Sequence, residues 1–153
     1  MVLPIREGDI PGIQLRLRRH LPIDRAEAWR WLTEARRLES WLAERVEVDA
    51  GPRGGIVLER SAPDAAAGRV IETGRTERYE PGRSWVLVFR KEDPKWEAPT
   101  RLELALVEAD SGCEIDVFQG GFQHLSLSAC LTIWEEYRRR WRDALARLSG
   151  LLG

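Results

Sequence analysis

Cysteine and histidine are scarce in this chain of 153 residues, which contains two of each. Cys113 and Cys130 do not form the paired C-x-x-C spacing of a structural zinc site, and neither His20 nor His124 has a second ligand four residues away. A metal ion would need ligands gathered from distant strands, so we predict no metal site and no cofactor. Two cysteines without a secretion signal also favour buried thiols over a disulfide.

The sequence also lacks long apolar runs and an excess of charge of one sign. No apolar stretch approaches the roughly 20 residues that a membrane-spanning helix needs, and the opening segment "MVLPIREGDIPG" carries charges and prolines, unlike a signal peptide. A net charge of −1 gives no electrostatic reason to expect binding to nucleic acid or to an anionic membrane. We therefore expect a cytoplasmic protein in which residues 1–12 form a leader and residues 13–153 form one domain.

Apolar and polar residues alternate in several short segments, which is the pattern of half-buried strands. "IQLRLRRHL" is the first such segment, and the later ones are "GGIVLER", "RVIETGRTERYE", "SWVLVFRKE", "TRLELALVEA" and "CEIDVFQ". After the first segment, "PIDRAEAWRWLTEARRLESWLAERVEV" changes to a helical period, with Asp24 placed to cap a helix and Glu27 three residues later. Two short helices are expected there, the second carrying Leu38, Trp41 and Leu42.

Residues 126–152 predict one long amphipathic helix. Its apolar residues recur at steps of three, four or seven: Leu127, Leu131, Trp134, Trp141, Leu145, Leu148 and Leu152. The run "EEYRRR" is expected to face solvent, and a serine is expected to cap the helix. Short turns separate most of the strands, which favours antiparallel pairing. We predict an α+β fold in which a curved antiparallel sheet of about six or seven strands wraps around this helix, with two short helices after the first strand.

Four motifs, taken in order, carry a likeness to a known superfamily. They are "LPIDRAEAWRWLTEARRLESWL", "GRTERYEPGRSWVLVFR", "SGCEIDVFQGGF" and "RWRDALARLSGLL", and the likeness covers about residues 13–152. The chain resembles the START-like (SRPBCC) helix-grip superfamily, also called Bet v 1-like, and within it the family related to the C-terminal domain of the activator of Hsp90 ATPase. Two positions depart from the family pattern, because Cys113 replaces a usual threonine and Gln119 replaces a common histidine.

Strand parity divides the strand residues between an inner and an outer face of the sheet. With the helix residues that should face them, the inner residues form the predicted lining of a cavity: Trp41, Trp85, Leu87, Phe89, Leu104, Ile115, Val117, Gln119, Trp134 and Trp141. Seven tryptophans in 153 residues suit an apolar ligand. The alternative is that these rings fill the core. Gln119 is the inward polar group and would need a partner, such as a ligand or a water molecule.

Parity also predicts an apolar patch on the outer face of the sheet, which is a candidate surface for a homodimer or another partner. Its members are Val86, Val88, Ala105 and Phe118. The alternative is that the loop "KEDPKWEAP" folds back over the patch with Trp96 as a lid. Glu103 and Asp116 fall on the same outer face and are expected to be solvated.

Candidate catalytic groups are few. The pair Gly120–Gly121 lacks the pattern of a phosphate-binding loop, so we interpret it as a bend at the end of the last strand. The strand that carries Glu72 and Arg78 is polar on both faces, which makes these residues candidates for a polar group lining the cavity. An enzyme would use Gln119, Arg78 and Glu72 to polarise a carbonyl. No catalytic residue is assigned.

Our leading hypothesis is a non-enzymatic START-like domain that binds a hydrophobic or amphipathic small molecule between sheet and helix, or a protein-interaction module. The family resemblance implies chaperone co-activation as one form of the latter. The alternative is an enzyme similar to the polyketide cyclases and dehydratases, which the superfamily also contains. An open cavity with convergent ionisable groups would favour the enzyme, whereas a lining of rings and aliphatic side chains would favour a carrier. A cavity filled by its own tryptophans, beside a large outer apolar patch, would favour an interaction module.

Overall fold

The computed structural model describes residues 12–61 and 68–153. The chain forms strand β1 at Gln14–Leu21, helices α1 at Arg25–Thr33 and α2 at Ala35–Trp41, and strands β2 at Arg45–Asp49, β3 at Gly55–Ser61, β4 at Arg69–Glu80, β5 at Ser84–Lys91, β6 at Thr100–Ala109 and β7 at Gly112–Gly120. A short 3₁₀ helix at Phe122–His124 leads to the long helix α3 at Cys130–Leu152. The predicted leader and the segment "APDAAAG" lie almost entirely outside the described residues.

Seven strands form one antiparallel sheet in the order β1-β7-β6-β5-β4-β3-β2. β2 to β7 follow one another as a meander, and β1 joins the sheet by pairing with β7, with Leu15 opposite Gln119. The predicted antiparallel sheet and its number of strands are confirmed. Strand β2 is missing from the prediction, because it follows directly on the segment with helical period. Its alternation of apolar and polar residues covers only "RVEVD".

Helices α1 and α2 are short because the backbone becomes extended at Glu34 between them. Asp24 caps α1 as predicted, since its carboxylate accepts a hydrogen bond from the Glu27 N–H at 2.8 Å. Leu38 and Trp41 of α2 are buried. The two helices cover part of the sheet beside α3, and they contribute to the same core.

Helix α3 begins later than predicted, at Cys130. A turn precedes it, in which the N–H groups of Ala129 and Cys130 both donate to the Ser126 carbonyl at 2.9 Å, and no side chain caps the helix. Leu127 lies in this turn and Leu131 lies on an exposed side of the helix, so neither is a core residue; they are 91% and 63% exposed. The buried stripe of the helix consists of Cys130, Ile133, Tyr137, Trp141, Ala144, Leu145 and Leu148.

Gly121 forms the bend between β7 and the 3₁₀ helix. Its φ of +93° lies in the left-handed region, which residues with a Cβ atom rarely adopt. The interpretation of the glycine pair as a bend is therefore confirmed. His124 is exposed just after this bend, and Cys113 and Cys130 are buried, unpaired thiols as predicted.

Candidate functional site

An open groove of about 1270 Å³ runs along one side of α3. Its other walls are the end of α2, the residues that follow it, and the adjoining ends of β3, β4 and β5. Leu131 and Arg147 are the first and last residues of α3 that line it, and they lie about 24 Å apart at 1.5 Å per residue. The groove is long enough for an extended small molecule.

Neighbouring stripes of α3 place the groove directly beside the core. Tyr137 and Trp141 belong to the buried stripe. The next stripe lines the groove at four-residue steps, as expected for one face of a helix, and consists of Leu131, Glu135, Arg139, Asp143 and Arg147. Arg140 lies at the boundary, where it lines the groove although its side chain is only 10% exposed.

A buried cluster of polar side chains around Glu72 of β4 lies against the groove. Glu72 is 0% exposed, because it occupies the inward position paired with Leu58 of β3. Its carboxylate accepts hydrogen bonds from Arg60 Nε at 3.2 Å and Nη2 at 3.4 Å, from Arg140 Nη1 and from the Tyr137 hydroxyl. Arg60 and Arg140 both line the groove, so their guanidinium groups connect the buried carboxylate to the open volume.

The cluster carries one surplus positive charge. Two guanidinium groups contribute +2 and Glu72 contributes −1, and among the described residues no other carboxylate lies within salt-bridge distance of Arg60 or Arg140. Burial opposes the ionisation of Glu72, but the charges of Arg140 and Arg60 and the Tyr137 hydroxyl hold its pKa below the usual value. Burial and the nearby carboxylate raise the pKa of Tyr137, so its hydroxyl remains the hydrogen-bond donor.

Aromatic rings hold the Tyr137 hydroxyl in place. The centroids of Trp96, Phe89 and Phe122 lie 5.4 Å, 6.1 Å and 6.1 Å from the Tyr137 centroid. Trp96 comes from the loop after β5 and is 2% exposed. It therefore packs on the inner side of the sheet, and the alternative that it covers the outer patch is wrong.

The remaining wall of the groove is partly apolar. Trp41, Leu42, Ala43 and Val70 line it and are buried, whereas Leu131 lines it and is 63% exposed. The exposed leucine and the two guanidinium groups lie at different parts of one groove, which gives the groove an amphipathic character. An amphipathic molecule would find both kinds of partner within one groove.

The predicted cavity residues form the core of the fold. Those that are at most 1% exposed are Trp41, Trp85, Leu87, Phe89, Leu104, Ile115, Val117, Gln119 and Trp141. Their inward direction agrees with strand parity, but Trp41 is the one member of this described set that lines the groove. Trp134 lies elsewhere, half-buried at the edge strand β1, where its indole N–H donates to the Gln14 carbonyl at 2.8 Å.

Gln119 finds its partners within the protein. Its amide Nε2 donates to Thr100 Oγ1 at 3.0 Å, and its Oε1 accepts from Trp141 Nε1 at 2.9 Å. The Thr100 hydroxyl in turn donates to the Phe89 carbonyl at 2.9 Å. This chain of hydrogen bonds satisfies the buried amide without a ligand.

Charged residues divide the predicted outer patch. Its members are Val86, which is buried, and Val88, Ala105 and Phe118, which are half-buried. In the sheet, Val86 lies between Arg78 and Glu103, and Phe118 lies between Glu103 and Arg16. The Arg16 guanidinium carbon lies 5.3 Å from the Phe118 ring centroid, so part of this ring is covered. Asp116 is half-buried on the same face beside Arg16 and Arg18, so it is less solvated than predicted.

The three polar groups considered for an enzyme do not meet at one point. β4 changes register between Thr76 and Arg78, which places Arg78 opposite Val86 on the outer face, where it is exposed. Glu72 and Gln119 lie on the inner face and are fully buried, each with protein partners. The sheet therefore separates Arg78 from the other two groups.

Sequence reasoning missed the partners of Glu72. Tyr137 and Arg140 fall in "EEYRRR", which was expected to face solvent, and Arg60 was not considered. The helical spacing of Tyr137, four residues after Ile133 and four before Trp141, does place it on the core face. No local pattern marks the arginines, because Arg60 and Arg140 are 12 and 68 residues from Glu72.

A seven-stranded antiparallel sheet wrapped around a long C-terminal helix, with two short helices after the first strand, defines a START-like (SRPBCC) domain. The chain belongs to the family described as Activator of Hsp90 ATPase homolog 1-like protein, which matches residues 22–153. No curated protein matches the sequence. Among the described residues, no helix has the length and apolar character needed to cross a membrane, and no cluster of three metal-ligating side chains occurs.

Several solved structures share the fold. Protein CV1439 from Chromobacterium violaceum has a TM-score of 0.70 at 22% identity, covering 91% of this chain and 96% of that protein. Protein Ms6760 from Mycobacterium smegmatis has a TM-score of 0.73 at 15% identity, covering 92% and 90%. DynU16, a protein in the dynemicin biosynthetic locus, has a TM-score of 0.71 at 15% identity, covering 93% of this chain and 48% of that protein. At these identities the likeness establishes the fold alone.

Proposed function

We propose that this protein is a non-enzymatic binding domain for an amphipathic small molecule, which lies in the groove beside α3. The observation that carries the proposal is the arrangement of the groove, where an apolar wall and two guanidinium groups share one open volume of about 1270 Å³. Pockets for small molecules commonly have a largely apolar lining with a few placed polar groups. Charged side chains form most of the lining of this groove, and its apolar part is confined to Trp41, Leu42, Ala43, Val70 and Leu131. Membership in the family supports small-molecule or protein binding.

The groove replaces the cavity between sheet and helix that the sequence suggested. The inward rings pack as core, so a ligand among them would have to displace side chains that are at most 1% exposed. A ligand in the groove would instead cover Leu131, which is 63% exposed, without displacing these core side chains. Covering exposed apolar surface is favourable at about 25 cal/mol per Å².

A polyketide cyclase-like function is less well supported. DynU16 shares the fold, but likeness of fold does not transfer chemistry. Gln119, Arg78 and Glu72 do not converge on the groove, and among them only Arg78 is exposed. We place the proposed function in the cytoplasm, in line with the two unpaired, buried cysteines.

Titration with the uncharged dye Nile red tests the proposal. Replacing Leu131 with glutamate should weaken dye binding about fivefold, because it removes roughly 1 kcal/mol of apolar contact and adds a charge. Leu151→Glu is the matched control, since Leu151 lies on the same helix, is 53% exposed and does not line the groove. Equal dye affinity in both variants, or no dye binding by the wild type, would overturn the proposal. Native mass spectrometry of the purified protein should also show a retained ligand mass.

A further inference from the structure

We propose that the groove selects ligands with a single carboxylate and that this group binds at Arg60 and Arg140; the inference rests on the proposed function and names its ligand class. The surplus charge of the Glu72 cluster is the first argument. One carboxylate balances a site of +1, and an uncharged ligand leaves the two guanidinium groups sharing a single anion. A charge kept partly out of water is costly unless it is paired.

The unused donors of the two arginines are the second argument. A guanidinium group carries five N–H donors. Arg60 uses Nε and Nη2 for Glu72, and Arg140 uses Nη1 for Glu72 and Nη2 for the Leu42 carbonyl at 3.3 Å. Each arginine therefore keeps donors without a protein partner among the described residues. Arginine donors bind carboxylates with well-defined geometry, often through two bonds.

The exposure of the two arginines fits a ligand site at the wall of the groove. Both residues line the groove, and their side chains are 20% and 10% exposed. A carboxylate bound there would make hydrogen bonds that water screens only weakly. Arg139 offers a contrast within the same groove, because its side chain is 60% exposed and its nearest carboxylate oxygen, on Glu135, lies 4.0 Å away.

The carboxylates elsewhere in the groove favour a small anion over a large one. Seven acidic residues line the groove in addition to the cluster: Glu39, Glu44, Glu92, Asp93, Glu135, Glu136 and Asp143. Glu44 binds Arg69 at 2.7 Å, and Glu135 and Asp93 have basic partners of their own. The acidic side chains would repel a polyanion that extended along the groove. A single carboxylate bound at Arg60 and Arg140 would be shielded from this repulsion by the two guanidinium groups.

Arg140 and Leu131 lie at different parts of the groove. Leu131 precedes Arg140 by nine positions, which is about 14 Å along α3 and half a turn around it. An apolar tail attached to a carboxylate at Arg140 would therefore have to follow the groove around the helix as well as along it to cover the exposed leucine.

Competition with bound Nile red by dodecanoate and by dodecan-1-ol tests the inference at about pH 7, where the acid is ionised. The wild type should bind dodecanoate at least about tenfold more tightly than the alcohol, which is the effect of one or two charge-assisted hydrogen bonds. Arg60→Gln should remove most of this preference, because the cluster becomes neutral. Glu72→Gln should increase it, because the cluster then carries +2. Arg142→Gln is the matched control and should leave the preference unchanged, since Arg142 lies on the same helix, is 62% exposed and does not line the groove.

The outcomes separate this inference from the proposed function. If both probes bind with equal affinity, the groove binds amphipathic molecules but the carboxylate assignment is wrong. A preference that Arg60→Gln and Arg142→Gln reduce equally also overturns the assignment, because it would come from general electrostatics. If neither probe displaces the dye, the proposed function itself fails. Arg60→Gln should decrease the preference for dodecanoate and Glu72→Gln should increase it. Either variant alone therefore tests the assignment if the other does not fold.

Discussion

A single carboxylate, that of Glu72, links β4 to β3 and α3. Its removal should be costly, because Arg60 and Arg140 would remain packed without their anion. We expect Glu72→Gln to lower the free energy of unfolding by roughly 3 kcal/mol, in the range measured when one partner of a buried ion pair is lost. Glu103→Gln, on the half-buried outer face, should change it by less than about 0.5 kcal/mol. Equal effects in urea unfolding would contradict the role of the cluster.

The same substitution has an expected pH dependence. The pKa of Glu72 is lowered in the folded protein, whereas the unfolded chain has the ordinary value. The unfolded chain therefore binds more protons in acid, so the contribution of Glu72 is complete above about pH 5 and is lost as the pH falls through the folded pKa. The difference in unfolding free energy between wild type and Glu72→Gln should shrink from about pH 7 to about pH 3. A difference that stays constant over this range would show that Glu72 does not titrate as described.

At the scale of the elements, alanine substitutions of two glycines test the backbone conformation, one at the bend after β7 and one within α3. Gly121→Ala should destabilise the protein by about 1–2 kcal/mol, because φ is +93° there and the nearest atoms lie 3.7 Å or more from an added Cβ, so the cost is backbone strain alone. Gly150→Ala, in α3 with no atom within 4 Å of an added Cβ, should be neutral or stabilise by up to about 1 kcal/mol. Thermal unfolding distinguishes the signs. A neutral Gly121→Ala would contradict the interpretation of the bend.

The observed bounds of the strands and helices show which elements the sequence pattern could locate. The bounds of β4 and β6 agree with the predicted segments, because period-two alternation is a local property of a strand with one buried face. The start of α3 was misplaced because Leu127 continues the helical spacing although it lies in a turn. Spacing alone does not distinguish a helical residue from one in the preceding turn, and no N-cap residue marks Cys130 as the first position.

At the scale of the whole molecule, the outer face remains a predicted surface for a homodimer. Val86 is only 7% exposed and Arg16 covers part of Phe118, so the apolar area available for association is small. We expect dimerisation to be weak, with sedimentation coefficients that rise only between about 0.1 and about 1 mM. Val88→Arg should abolish the rise. A coefficient that is constant over this range would contradict the homodimer, and Leu151→Arg, on α3, serves as the control.

The sequence by itself determined the class of fold, the family and the inward or outward direction of most strand residues. Those features depend on periodicity, turns and short motifs, which are local in the chain. Only the tertiary structure decided that the inward rings pack as core, that Gln119 is satisfied by Thr100 and Trp141, and that a groove lies beside α3. It also brought Arg60 and Arg140 to Glu72 from 12 and 68 residues away. Such contacts depend on how the sheet curves around the helix, and the energy of a buried charge depends on every neighbour at once, so no local pattern encodes them.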